Sequence, residues 1–441
     1  MAIINGIGLE SNKKYRIDFS GGDLSSDGGL LLVREFYHKL GVDSLVKEMF
    51  HTTDPGHFRF HKDHENLLQM LYQITSAYFQ DDHADALRHN PVITACIGKP
   101  ALASQPTLSR FHNRMDEASL QQLQEIHRIL RRRVYSIEHP EHILFDLDST
   151  LFPTYGTQEG EAYNYHYQAH GYHPLLCFDG MTGDLLKLEL RPGAMYCSNG
   201  AAAFMKPLLE EYQNDYPDIA LFLRADSGFA TQELYSLCEV NSTSYAIRLK
   251  ENTVLRTLAS ELDAELYDMT SEDAISYAVV YGEFAYKAGS WDYPRRVVCK
   301  IEKPYGQMIH MTTFVVTNMD SAPEDIIRFY CKRGKMENFI KECKSSFDME
   351  YVSSSTQIVN ANRVQIHALA YSLFNWFRRL TLPESMKKDR IDTVRINLLR
   401  IAVRIVRSAR YVFFKLCSHC PFETQYVETL QNIRRLHPLL E

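Results

Sequence analysis

The sequence predicts an α/β protein whose two ends are mainly helical. Three observations support this prediction. Short strand-like segments alternate with helix-like segments between residues 142 and 250. Longer stretches with apolar residues at helical spacing lie on both sides of that region. A strand-rich segment, residues 251–320, separates the alternating region from the helices that follow it.

Length and composition are those of an ordinary soluble globular protein. The chain has 441 residues, enough for two or three domains, and is 45% hydrophobic and 23% charged. No stretch approaches the roughly 18 apolar residues of a membrane span. The N-terminal residues lack the basic start and long apolar run of a secretion signal. We therefore expect a cytoplasmic protein.

The first predicted region, residues 1–140, is mainly helical. The stretches "ENLLQMLYQITSAYF" and "DEASLQQLQEIHRILRRRVY" carry apolar residues at helical spacing. The glycine-rich "SGGDLSSDGG" lacks the Lys-Ser/Thr of a phosphate-binding loop, so we interpret it as a turn before a helix.

The second region, residues 141–250, supplies most strands of the predicted sheet. The segment "HILFDLDST" is predicted to be a strand, and because successive side chains of a strand point to opposite faces, Asp146 and Asp148 share one face. "IALFLRADSGF" is a later strand with Asp226 at its end. Functional sites of open α/β sheets assemble at strand ends, although a carboxylate there is often only a turn former.

Three further regions follow: a β-rich insertion over 251–320, a helical segment over 321–380, and a helical, basic region over 381–441. The net charge of −7 argues against nucleic-acid binding through overall charge. Between Lys387 and Lys415, however, nine residues are basic and two are acidic. We predict an amphipathic helix here with its arginines on one face. Contact with DNA and simple solvation both explain such a face.

The segment "YCKRGKMENFIKECK" places a single carboxylate, Glu337, among cations. One helix starting near Asp325 brings four of these residues within an arc of about 60°: Tyr330, Arg333, Glu337 and Lys344. A solvated charged face is the ordinary explanation of such a cluster. Ile326 falls on the same arc, however, which indicates that this face packs inward.

Convergence of Asp148, Asp226 and Glu337 would make a pocket of hard oxygen ligands suited to Mg²⁺ or Mn²⁺. Two such ions, about 3.5–4 Å apart, stabilise the attacking and the leaving oxygen of a displacement at phosphorus. Arg333 offers a planar fork and Lys344 a point charge for a phosphate. The opposing interpretation is three unrelated surface acids.

The same residues match a known pattern. The spacing Tyr-x2-Arg-x3-Glu-x6-Lys, preceded by "DLDST" and "RADSGF", resembles the DDE transposases of bacterial insertion sequences. The segments "YFQDDHADALRHNPV" and "LASQPTLSRFHNRM" resemble the N-terminal region of the IS-thirteen-eighty group. The resemblance covers nearly the whole chain. It implies an RNase H-like core, formed by 141–250 and 321–380, together with a DNA-binding N-terminal region.

The resemblance assigns the catalytic and metal-binding triad, with two Mg²⁺ or Mn²⁺ ions, to Asp148, Asp226 and Glu337. It assigns phosphate contacts near the cleaved DNA end to Tyr330, Arg333 and Lys344. Asp146 is a rival of Asp148 as the first ligand, because both face the same way on one strand. Glu342 is a weaker rival of Glu337, because it points to a different side of the helix.

Four other residues are candidate DNA contacts: Arg110, Trp291, Arg404 and Arg407. In some relatives a tryptophan after the signature arginine handles a flipped base, whereas Gly334 occupies that position here. Trp291 could serve instead by stacking on an extruded base, or it could be a packing aromatic. The cleavage route, through a hairpin or otherwise, stays open.

The function implied is a cut-and-paste DNA transposase of the bacterial cytoplasm, associated with the nucleoid when it acts. Its partners would be double-stranded DNA, both the terminal inverted repeats and the target, and a second copy of the chain in the DNA complex. Two alternatives are a domesticated DNA-binding protein that no longer cuts and a metal-dependent nuclease that cuts without joining.

Overall fold

The computed structural model describes residues 7–12, 14–54, 56, 58–271 and 276–440. The chain divides into two compact units. The first combines the residues up to 137 with those from 369 onward, and the second comprises residues 138–368. The first unit therefore joins two regions that the sequence treats as separate. Nowhere in the described ranges does a helix have the length and apolar character that crossing a membrane requires.

The N-terminal part of the first unit is helical, as predicted, after three two-residue strands. Its elements are β1 (Ile7–Gly8), β2 (Arg16–Ile17), β3 (Leu24–Ser25), α1 (Leu30–Leu40), α2 (Val42–Met49), α3 (Asp63–Thr75), α4 (His83–Leu87), α5 (Pro91–Ile97), α6 (Gln105–His112) and α7 (Glu117–Ile137). Local sequence explains α5 directly: the Asn90 side chain accepts hydrogen bonds from the N–H groups of Val92 and Ile93, and Pro91 occupies the first turn.

The second unit is built on a large mixed sheet with helices beside it. Its elements are β4 (His142–Ser149), β5 (Phe152–Pro153), β6 (Ala162–Asn164), β7 (Ala169–Tyr172), β8 (Leu175–Asp179), β9 (Leu185–Glu189), α8 (Ala201–Asp215), β10 (Ala220–Ala225), a 3₁₀ turn (Ser227–Phe229), α9 (Gln232–Val240), β11 (Ser244–Leu249), α10 (Thr253–Leu258), α11 (Ser260–Thr270), β12 (Ala278–Tyr286), β13 (Arg295–Lys303), β14 (Met311–Thr317), α12 (Pro323–Cys331) and α13 (Gly334–Phe347).

Eight of these strands form one sheet in the order β12-β13-β14-β11-β10-β4-β8-β9. β4 and β10 are parallel neighbours, as are β10 and β11, whereas the other neighbouring pairs are antiparallel. Leu147 lies opposite Ala225 in the β4–β10 pairing. Asp148 and Asp226, the residues that come next in the chain, therefore lie at the same edge of the sheet.

The segment 251–320 differs in part from the predicted β-rich insertion. It begins with two helices, α10 and α11, and only then forms β12, β13 and β14. Asn252 caps α10 by accepting a hydrogen bond from the Leu255 N–H. The three strands continue the central sheet through the β11–β14 pairing, so they extend the sheet of the core.

The C-terminal elements are α14 (Gln357–Thr381), α15 (Ile391–Val394), a π-helical turn (Arg395–Leu399), β15 (Val403–Arg407), β16 (Val412–Leu416) and α16 (Glu423–Arg434). The prediction of one amphipathic helix through these arginines was wrong, because β15 and β16 form an antiparallel hairpin. Val403 and Ile405 are buried on either side of the exposed Arg404. This alternation of β-branched and charged residues has a period of two, which suits a strand.

Buried His127 of α7 gives the first unit an expected sensitivity to acid. Its ring lies 5.7 Å from that of Trp376, and its Nε2 is buried without a hydrogen-bond partner. Burial and the nearby charge of Arg131 lower the pKa of His127 to about 3. In the unfolded chain His127 is protonated below about pH 6.5, whereas in the folded chain it stays neutral down to about pH 3. The free energy of unfolding therefore falls as the pH drops from about 6.5 toward 3. At pH 5 the loss is about 2 kcal/mol.

We expect His127→Gln to remove that loss between pH 7 and pH 5. The measurement is urea unfolding followed by Trp376 fluorescence in a Trp291→Phe background, since the chain has two tryptophans. His89→Gln is the matched control, because His89 is an exposed histidine of the same unit. Equal acid sensitivity in wild type and His127→Gln would exclude His127 as the cause.

Candidate active site

Asp148 and Asp226 lie side by side at the edge of the sheet where β4 and β10 end. Asp148 is the penultimate residue of β4, and Asp226 directly follows β10. Asp226 caps the 3₁₀ turn that follows, since its Oδ1 accepts a hydrogen bond of 2.9 Å from the Gly228 N–H. Both carboxylates are half-buried. The parallel pairing of their strands thus brings together two acids that are distant in sequence.

Asp148 is paired with Arg333. The Arg333 Nη2 lies 2.8 Å from Asp148 Oδ2, and the Ser149 N–H donates to Asp148 Oδ1 at 2.9 Å. Burial nevertheless raises the pKa of Asp148 to about 6, and the negative charges of Asp226 and Glu337 add to that rise. The three predicted triad members therefore share one electrostatic environment, in which negative charge is crowded and a cation is favoured.

Asp146, the rival first ligand, is occupied elsewhere. Its carboxylate is fully buried and receives two hydrogen bonds from Arg224, of 2.7 Å from Nε and 2.6 Å from Nη2. Burial raises the pKa of Asp146 although Arg224 opposes that rise. Arg224 also donates to the Phe329 carbonyl at 2.7 Å. Asp146 therefore anchors α12 to the sheet through Arg224, which leaves Asp148 as the acid of β4 at the sheet edge.

The helix that carries the signature residues is broken, contrary to the single continuous helix that the sequence predicts. α12 ends at Cys331, and α13 starts at Gly334 with Arg333 in its capping position. Tyr330 lies in α12 and is buried in one cluster with Val298 and Val315 of the sheet. The break matters because it places Arg333 at a junction, from which its guanidinium reaches Asp148.

Glu337 and Lys344 both belong to α13 and line a cavity of about 410 Å³ that Asp148 also lines. Glu337 is exposed in the first turn of the helix. Lys344 donates to the Leu151 carbonyl at 2.9 Å and forms an ion pair of 2.8 Å with Glu350. Lys344 therefore connects α13 to the chain that leaves β4, and Glu337 faces the cavity between them.

The three carboxylates are not gathered into a metal cage in this arrangement. Across the ranges that the structure describes, no group of three or more His, Cys, Asp or Glu side chains is placed to hold a metal ion. The positive charge beside Asp148 is that of Arg333. The donor chemistry itself, carboxylate oxygens in a crowded negative environment, suits a hard divalent cation.

Arg333 retains unused hydrogen-bonding capacity. Its Nε is buried without a hydrogen-bond partner, whereas its Nη2 forms the ion pair of 2.8 Å with Asp148 Oδ2. The charge of Asp148 and, more weakly, that of Asp226 raise the pKa of Arg333 despite its burial. A guanidinium with an unpartnered Nε is well suited to an incoming anion such as a phosphate.

The other predicted DNA contacts lie in different settings. Trp291 is buried, with its ring 5.2 Å from Tyr235 and 5.4 Å from Tyr286, so the structure favours a packing role over stacking on a base. Arg110 is exposed on α6 and Arg404 on β15. Arg407 is exposed and pairs with Asp23 at 2.9 Å.

Two features of the site were missed by sequence reasoning. Arg248, exposed on β11, contributes a positive charge that opposes the rise in the pKa of Tyr330. A basic residue near the end of a strand was the available signal. The run "YNYHY", residues 163–167, lines a second cavity beside Asp148 and Asp226. Its signal was the density of aromatic side chains, four in five residues.

The site thus consists of two aspartates at the edge of a mixed sheet, Asp148 and Asp226, and of three residues from one helical segment. Those three residues are Glu337, Arg333 and Lys344. The family described as Transposase DDE domain group 1 matches residues 7–438 of the chain. The chain therefore belongs to the DDE transposase family. No protein with curated function gives a significant sequence match. A solved piggyBac transposase synaptic complex with hairpin DNA is similar, with 12% identity, coverage of 84% of this chain and 80% of that chain, and a TM-score of 0.43.

Proposed function

We propose that this transposase moves an insertion sequence of the IS-thirteen-eighty type by a cut-and-paste route, with Asp148, Asp226 and Glu337 as its catalytic triad. One observation carries the assignment. The β4–β10 register brings Asp148 and Asp226 to one edge of the sheet, and Glu337 lines the same cavity as Asp148. Carboxylates crowded in this way beside cationic residues are suited to phosphoryl transfer, where positioning and charge neutralisation supply most of the catalysis.

An RNase H-like core is part of this proposal. The strands β9, β8 and β4 are antiparallel neighbours, and β10 and β11 continue the sheet in parallel with β4. This five-stranded mixed sheet with adjoining helices supports such a core. β12, β13 and β14 then extend the sheet beyond β11.

The triad would hold two Mg²⁺ or Mn²⁺ ions, which stabilise negative charge on the attacking and leaving oxygens of the reaction. Arg333 is the residue that must change partner. Its guanidinium now neutralises Asp148, and its unpartnered Nε favours transfer to a DNA phosphate. Departure of Arg333 frees the Asp148 oxygens, and the exposed side chain of Glu337 is able to turn toward them.

The chemistry proposed has two steps at one site. Hydrolysis of a phosphodiester at the element end leaves a 3′-hydroxyl on the DNA. In the second step that hydroxyl attacks a phosphodiester of the target, so that the new bond forms as the target strand is broken. Since two ends must be joined to one target, we propose that a homodimer acts in the DNA complex, in the bacterial cytoplasm.

The test uses purified full-length protein and labelled duplexes that carry the sequences bracketing the reading frame. We expect cleavage and joining with Mg²⁺ and neither with EDTA. Cleavage without joining would indicate a nuclease. A mobility shift without cleavage in either condition would indicate a binding protein and contradict the proposed function.

A further inference from the structure

Two cysteines, Cys417 and Cys420, lie at one surface turn of the first unit. They belong to the segment "CSHC", which connects β16 to α16, whereas the other seven cysteines lie singly in the sequence. Cys417 is exposed and Cys420 is half-buried, while five of the other seven are buried. Cysteine is among the residue types that are most often buried. Packing therefore does not explain two accessible thiols at one turn.

The turn holds the two cysteines at a separation that a disulfide bond can span. The Cys420 N–H donates to the Cys417 carbonyl at 3.1 Å, which closes a turn of four residues. The Cα atoms at the two ends of such a turn lie less than about 7 Å apart. The Cα atoms of two disulfide-bonded cysteines lie about 4.4–6.8 Å apart. Because the two ranges overlap, a bond between the sulfurs requires little movement of the backbone.

Backbone contacts fix both ends of this turn. The Cys417 N–H donates to the Ala402 carbonyl at 2.9 Å, directly beyond the last residue pair of the β15–β16 hairpin. On the other side, the Glu423 N–H donates to the Cys420 carbonyl at 3.4 Å. Pro421, whose ring locks its φ angle, follows Cys420 directly. A bond between the two sulfurs would therefore join the end of the hairpin to the beginning of α16.

The two elements that such a bond would join are packed to different degrees. In α16, Ile433 is fully buried and the Tyr426 hydroxyl donates to the Gly28 carbonyl at 3.4 Å. The Asn432 amide donates to the Thr381 carbonyl at 3.0 Å. Every residue of β16, in contrast, is exposed or only partly buried. Elements with few buried contacts open locally at low free-energy cost, so a bond to α16 would restrain the hairpin.

We propose that Cys417 and Cys420 form a reversible disulfide bond on reaction with small disulfides, so that the junction of the hairpin and α16 responds to the redox state. The proposal does not depend on the transposase reaction, because neither cysteine belongs to the candidate active site. A disulfide at the surface is accessible to attack by other thiols, which suits a reversible bond better than a permanent one.

Cys417 is the attacking residue, since it is the more exposed of the two. Its thiolate attacks one sulfur of the small disulfide, forms a mixed disulfide and releases one small thiolate. The Cys420 thiolate then attacks the Cys417 sulfur and releases the second small thiolate. The protons of the two cysteine thiols pass to the two released thiolates. The protein thus loses two electrons, and the small disulfide gains them.

The test treats the native full-length protein with oxidised glutathione and maps its thiols by alkylation and mass spectrometry. We expect Cys417 and Cys420 to lose alkylation together and to appear in one internally linked peptide. Dithiothreitol should restore both thiols. Cys420→Ser should trap glutathione on Cys417 as a lasting adduct. Cys331 is the matched control, because it is exposed and has no cysteine near it in the sequence, so it should carry a glutathione adduct and no internal bond.

Hydrogen exchange tests the effect on the fold. In the oxidised protein, the amide hydrogens of β16 and of the first turn of α16 should exchange more slowly than in the reduced protein. Cys417→Ser should show no such difference. Glutathione adducts on both cysteines without an internal bond, disulfides between two copies of the chain, or equal exchange in both states would overturn the proposal. Thiols that react only after treatment with EDTA would overturn it as well, because they would then hold a metal ion.

Discussion

Replacing Glu337 with glutamine is expected to reduce cleavage of the terminal DNA by about 10²–10³-fold or more, the effect of removing one preorganised charge contact from an active site. Glutamine keeps the shape of the side chain but lacks the charge that a divalent ion requires. Glu337 is exposed, so the substitution leaves the core unchanged. DNA binding, measured by mobility shift, should be largely retained, because phosphate contacts come from other residues.

Glu342→Gln is the matched control, since Glu342 is a second glutamate of α13. It should cleave at close to the wild-type rate. If Glu342→Gln lost activity and Glu337→Gln kept it, the third acid of the triad would be Glu342. If both variants cleaved normally, α13 would supply no catalytic acid at all.

Replacing Asp146 with alanine is expected to lower the free energy of unfolding of the second unit by about 3–5 kcal/mol. Arg224 is 1% exposed and loses its only carboxylate partner among the described ion pairs. The guanidinium cannot shed its proton, so an uncompensated charge remains in the interior. Unfolding in urea followed by Trp291 fluorescence, in a Trp376→Phe background, reports on this unit.

Two further variants sharpen this result. Asp146→Leu combined with Arg224→Met should recover most of the lost stability, because an apolar pair replaces the ion pair without leaving a buried charge. Asp148→Asn should abolish cleavage and should lower the free energy of unfolding by less than Asp146→Ala does. The reason is that the side chain of Arg333, the partner of Asp148, is 13% exposed, whereas that of Arg224 is 2% exposed. A stable, inactive Asp146→Ala protein would instead make Asp146 the catalytic acid.

Much of the site could be predicted because its signals are local. An alternating strand ends near Asp148, another strand ends at Asp226, and the spacing from Tyr330 to Lys344 stands in the sequence without a gap. The side-chain period of a strand and the position of its last residue depend on near neighbours only. The α/β class and the helices of residues 30–137 follow from periodicity in the same way.

Other features depended on contacts between distant segments. The arginine-rich C-terminal stretch is compatible with helical spacing, but residues 403–416 form a hairpin that also pairs with β3. The sequence also contains no signal for the helix break at Arg333 or for the ion pair between Asp146 and Arg224. Each depends on ion pairs and buried contacts between segments that are far apart in the sequence.

The amino-acid sequence by itself determined the class of the protein and the identity of its acidic and cationic candidates, because periodicity and spacing are properties of short segments. Only the tertiary structure decided which acid of β4 lies at the sheet edge, where Arg333 rests, and that an aromatic pocket adjoins Asp148. Those outcomes depend on strand pairing and burial, which join residues far apart in the chain.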